Sequence, residues 1–178
     1  MAEVVHLSEY RQRSVIQAGF KYWRSCFKED FDARTRLNDL SPAVLCSLAG
    51  PAEVSAEYFY ALIIGLLGYG EADSFETLDN KAQIQVVDIH LFLADQVRFE
   101  MMRRLGWLAR YSATQYRIVE IVMQFDHIRT LFQQDPPSLA ATHIGYAEYQ
   151  QLVPQDQQVF IRRMLPSVLE AFKQVYLS

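Results

Sequence analysis

Residues 87–108 read VDIHLFLADQVRFEMMRRLGWL, and the way this stretch is wound decides the fold. An α-helix advances about 100° and 1.5 Å per residue. Wound so, Val86, Val87, Ile89, Leu93 and Val97 cover sides that Ile84, Leu91, Phe92 and Phe99 leave open. A helix that is apolar nearly all round belongs in the middle of a core. The stretch therefore predicts a central helix from about Lys81 to Leu105, enclosed on every side, with Gly106 as its stop.

Three polar residues interrupt that helix. Asp88 and Asp95 are seven positions apart, so they share an azimuth and stand about 10 Å apart along the axis. His90 points about 200° away from Asp88, so the two cannot clasp one ion. A ligand pair on one helix needs i,i+3 or i,i+4 spacing, as in HExxH or ExxH, and neither pattern occurs. Further along, Glu100 with Arg103 and Arg104, and Asp95 with Arg98, have the spacing of surface pairs worth roughly 0.2–0.5 kcal/mol each.

Asp88 has no such partner, because positions 84, 85, 91 and 92 are Ile, Gln, Leu and Phe. A buried carboxylate left unpaired costs several kcal/mol or takes up a proton. Asp88 is therefore expected to receive a hydrogen bond or ion pair from another helix; an exposed position and a functional role are the alternatives.

Helical spacing runs outward from this centre through almost the whole chain, and alternating strand-like runs are scarce. A first helix is expected after Ser8, reaching about Asp32, with Ile16, Phe20, Trp23, Phe27 and Phe31 on one face. Ser41-Pro42 reads as cap and first-turn proline of a short helix that Gly50 stops. Pro51 opens the next, which ends at Gly68-Tyr69-Gly70; Gly65 within it reads as a site of close helix packing. Ser112 and Gln115 have capping-box spacing and predict one helix ending near Gln133. Asp135-Pro136-Pro137-Ser138 is a loop, since successive prolines cannot continue a helix. The last helix begins near Pro154 and carries Phe160, Met164, Val168, Phe172 and Tyr176, with Pro166 read as a kink and a break as the alternative. These segments predict an all-α chain: an irregular bundle of six to eight helices forming a single domain, residues 1–178.

Composition sets bounds on function. The chain has 178 residues, 51% apolar and 21% charged, which is enough to build a core without a metal or disulfide staple. The formal charge is −4, and no basic cluster exceeds the pairs Arg103-Arg104 and Arg162-Arg163. General nucleic-acid binding is disfavoured, since it draws on a concentrated positive face. The two cysteines, Cys26 and Cys46, lack CxxC spacing and read as small buried thiols. The start MAEVVHLSEYRQR has no apolar core of a signal peptide, and the most apolar run, Tyr58 to Tyr69, is too short to span a membrane. A cytoplasmic location is expected.

Candidate chemistry is thin. After Ser112 a polar line of Arg117, Glu120, Gln124 and His127 runs beside an apolar line of Ile118, Ile121, Val122, Phe125, Ile128 and Phe132. The polar line is expected to face solvent. Turned instead toward a cavity shared with Asp88, it would offer Glu120 or Asp88 as a general base and Arg117 as an anion holder. Asp126-His127 reverses the His-Asp order of metal phosphohydrolases, and the four histidines are scattered, so no metal site and no cofactor are expected. GxSxG, GxGxxG and GxxxxGK[ST] are absent.

By elimination, the expected function is a helical module that binds another polypeptide, in the manner of an assembly or accessory factor, with self-association included. Its aromatic and methionine content (Trp23, Phe27, Met101, Met102, Trp107, Met123) suits an interface. The rival expectation is a small-molecule or catalytic site between central helices, built from Asp88, Arg117, Glu120 and His127.

Overall fold

The computed structural model describes residues 2–111 and 115–178, with side chains from Leu7 onward. It is an all-α, irregular helical bundle with one small two-stranded sheet.

Helix α1 (Ala2–Phe27) begins upstream of Ser8 and ends short of Asp32. Its end is set by Lys28, which takes the left-handed conformation at φ +57°. The Arg24 guanidinium donates to the Phe31 carbonyl at 2.7 and 3.2 Å, folding the chain back. Phe31 thus reaches the core from outside the helix and stacks on Phe20 at 5.8 Å. Ile16, Phe20 and Trp23 are buried, whereas every residue from Leu7 to Ser14 is exposed.

Ser41 caps α2 (Pro42–Leu48): its hydroxyl accepts from the Val44 N–H at 3.3 Å and donates to Glu29 Oε1 at 2.7 Å. Helix α3 (Ala52–Leu66) lies against α1, and Trp23 Nε1 donates to the Tyr58 carbonyl at 2.8 Å. Gly65 sits at their crossing, and Gly68 ends the helix region at φ +72°.

Asp79 then caps α4 (Asn80–Arg104), accepting from the Ala82 N–H at 2.8 Å. At the other end Gly106, at φ +75°, lets the Gly106 and Trp107 N–H groups bond the carbonyls of Arg103 and Met102. Val86, Ile89, Leu93, Val97 and Met101 are buried along it, packed with α3, α2 and α9 (Leu165–Tyr176).

Between α4 and the C-terminal helices, β1 (Leu108–Arg110) pairs antiparallel with β2 (Ser138–Leu139). The apolar line after Ser112 is carried by two helices and not one: α5 (Ile118–Met123) and α6 (Phe125–Gln134), separated at Gln124 with φ −118° and ψ 35°. Ser112 itself lies outside the described residues; α5 is instead opened by Arg117, whose N–H donates to Glu120 Oε2 at 2.9 Å. The expected last helix is also in two pieces, α8 (Pro154–Arg162) and α9, after a short α7 (Tyr146–Gln150). Pro166 falls in the first turn of α9, where its missing N–H has no partner to lose, so it breaks the run instead of kinking it.

Four local expectations are corrected. Helix α4 is not enclosed on every side: Lys81, Ile84, Asp88 and Leu91 form an exposed line along it. Glu100 is no surface residue, being 0% exposed, with Arg103 Nε at 2.9 Å and Arg104 Nε at 2.8 Å; Arg104 also donates to the carbonyls of Leu37 and Asn38. Asp95 pairs with Arg162 of α8 at 2.7 Å instead of Arg98, which reaches the Ala49 carbonyl at the end of α2. Cys46 is buried but Cys26 is exposed.

Candidate functional site

The exposed line of α4 borders an open cleft of about 690 Å³. Its α4 wall is Lys81, Gln85 and Asp88, and its other wall is the junction of α5 and α6. Tyr69, just beyond α3, closes one end by donating its hydroxyl to Gln85 Oε1 at 2.7 Å. Val122 and Phe125 are buried and form the floor; Met123 stands exposed at the edge. Phe125 is fixed edge-on to Phe92 of α4 at 5.4 Å, with Arg129 over its ring at 5.1 Å.

The break at Gln124 positions this wall. It presents Gln124, Asp126 and His127 to the cleft at the start of α6 while Ile128 and Phe132 stay buried. Asp126 meets Arg129 loosely at 3.6 Å. Asp88 has no ion-pair or hydrogen-bond partner among the described residues. Because Asp88 is exposed, water solvates it, and the burial problem posed by the sequence does not arise.

Of the four residues singled out in the sequence, Asp88 and His127 line this one cleft. Arg117 and Glu120 are bound to each other at 2.7 Å and do not line it. The start of α5 is anchored elsewhere, its Ile118 N–H donating to the Thr35 carbonyl at 2.9 Å. Hydrogen bonds from Arg117 hold the Glu120 carboxyl below its usual range, so it is a stabilised anion and a poor proton acceptor.

His90 lies apart from the cleft. Its ring packs on Phe59 at 5.1 Å and edge-on to Tyr60 at 5.3 Å. Burial, with Arg98 adding to it, keeps the imidazole below its ordinary value. A second cleft, about 440 Å³, lies between α1, α3 and the segment after Gly70. Tyr22 there is raised by burial and by hydrogen bonding with Cys26 and Glu57, and Lys21 meets Glu71 at 4.0 Å across its rim.

The sequence reading missed Lys81, Gln85, Tyr69 and Met123 as neighbours of Asp88. Only Lys81 and Gln85 had a local signal, being respectively two turns and one turn before Asp88 on the same side of the helix.

Among the described residues no group of three His, Cys, Asp or Glu side chains is placed to hold a metal ion, and no helix is long and apolar enough to cross a membrane. No protein-family model, no curated protein and no solved structure matches the chain.

Proposed function

We propose that the protein is a docking module, holding another polypeptide against the exposed line of α4 and the cleft beside it. The observation that carries this reading is the exposure of Ile84 and Leu91, 62% and 58%, on a helix whose other apolar positions are buried or half-buried. Single exposed apolar residues are ordinary on protein surfaces. These two lie two turns apart on one line, with exposed Tyr69 and Met123 at the adjoining cleft. Apolar anchors with charged groups around them are the composition of a polypeptide interface, and methionine adapts to the shape of a partner. The cleft's charges, Lys81, Asp88, Asp126 and Arg129, are all exposed. Water competes for them there, which suits interface rim contacts better than acid–base chemistry.

The test is a photo-reactive amino acid in place of Leu91, irradiated in the cells that make the protein, with Gln133 on α6 as the control position. A covalent adduct of defined mass at 91 and none at 133 is expected. Equal labelling, or none at either position, would refute the reading.

A small-molecule site is the second reading, favoured by Asp88 and His127 lining one cleft. It expects ligands that perturb the His127 ring resonances to lose that effect in Asp88→Asn. Perturbation unchanged by that substitution would remove Asp88 from it.

A further inference from the structure

We infer that the polypeptide docked on α4 is a second copy of this chain, laid antiparallel across the same exposed line; this rests on the docking reading above.

The line reads Lys81, Ile84, Asp88, Leu91, at steps of three, four and three, the spacing of a seam between two helices. Lys81 and Asp88 are exposed, and neither has an ion partner among the described residues. They cannot neutralise each other, since two turns of helix separate them by about 10 Å. The next acid on the line, Asp95, is already taken by Arg162 at 2.7 Å. The unmatched charges on the seam are thus one cation and one anion with an exposed isoleucine between them.

A two-fold contact requires a surface that complements itself. Placing Ile84 near the axis sets Ile84 against Ile84 of the other copy. Lys81 then lies about 4.5 Å before the axis and Asp88 about 6 Å beyond it along the helix. In the antiparallel arrangement each Lys81 falls within a side chain's reach of Asp88 on the other copy, giving two equivalent ion pairs. Leu91, about 10.5 Å from the axis, is carried just past the start of the other α4 at Asn80. A parallel arrangement would instead set Lys81 against Lys81 and Asp88 against Asp88, and like charges opposite one another are unfavourable. The order of charges selects the antiparallel form.

Sedimentation equilibrium of the full chain tests this. The wild type is expected to run as a pair of 20.6 kDa chains. Lys81→Glu alone and Asp88→Lys alone each weaken association by about tenfold or more. The combined Lys81→Glu and Asp88→Lys variant recovers it, because the charges are exchanged and still matched. Ile84→Glu abolishes pairing. All three positions changed are exposed, and an unchanged far-ultraviolet circular dichroism spectrum serves as the check that each variant is folded. A wild type that stays monomeric up to about 1 mM, the weak end of measurable affinity, overturns the inference. So does a dimer indifferent to both charge reversals and to Ile84→Glu. A monomer that still gives an adduct of another mass at position 91 discards the second copy and keeps the docking reading; a monomer with no adduct discards both.

Discussion

A Cβ placed on Gly65 would stand 2.6 Å from the Cα of Gly19, so α1 and α3 touch backbone to backbone. Alanine at 65 would gain about 1 kcal/mol of helix propensity. The obstacle is main chain and cannot swing aside, so the helices must separate and the core between Phe20, Trp23 and Leu62 must loosen. Gly65→Ala is expected to lower stability by about 1–3 kcal/mol. Gly19→Ala should cost less, because its nearest obstacle is the Leu66 side chain at 2.7 Å. Urea midpoints decide it; a Gly65→Ala protein as stable as the wild type would show that the crossing is looser than described.

Glu100 is the second weak point. It is fully buried and satisfied by two arginines, one of which, Arg104, also ties α4 to the Leu37–Asn38 turn. Removing the carboxylate leaves Arg104 confined without its anion, while Arg103, 39% exposed, turns to water. Glu100→Gln is expected to cost about 2–3 kcal/mol, below the usual range for breaking a buried pair because of that escape. Chemical denaturation of the variant beside Arg103→Gln, which should cost less than about 1 kcal/mol, checks the order of effects.

Stability should fall in mild acid. His90 and His143 are both held below the ordinary imidazole value of 6.5, by burial in each case and by Arg98 as well for His90. The His143 Nδ1 accepts the Gly145 N–H at 3.0 Å, a bond that protonation at Nδ1 would destroy. The unfolded chain takes up these protons near 6.5, the folded chain only below it. Their contribution is therefore fully present above 6.5 and is lost as pH falls through the folded values. Unfolding free energies at about pH 7.5 and 5.5 should show this loss, and a His90→Phe, His143→Asn protein should show much less of it. An unchanged slope would assign the loss to other groups.

How much of this was legible in the sequence depends on range. The end of α4 was, because Gly106 is a local device that acts within one turn; its start was placed near Lys81 without the Asp79 cap that sets it. The break at Gln124 was not: Ile118, Ile121, Val122, Phe125, Ile128 and Phe132 keep helical spacing straight through it, so periodicity does not register it. Pro166 misleads in the same way, since the first turn of a new helix suits proline as well as a kink does. The three-residue β1 and two-residue β2 are too short to show a period.

The candidate site was legible only in part. Asp88 and His127 were chosen for their chemistry, but their sharing a cleft depends on α6 packing against α4 through Phe92 and Phe125. The exposed line was hidden by its own composition, since Ile84 and Leu91 look like core in any pattern. Glu100 shows the converse: its spacing to Arg103 and Arg104 is the same for a surface pair and a buried one, and only the distant Leu37–Asn38 turn distinguishes them.

Helix α1 carries one more implication. From Leu7 to Ser14 nothing covers it, and an isolated helix of this length is marginal in water. Those turns are templated by the anchored half that starts at Ile16, so their amides should exchange with solvent progressively faster toward Ala2. A fluorophore, an affinity handle or a surface tether attached anywhere from Leu7 to Ser14 would leave the melting temperature where it was.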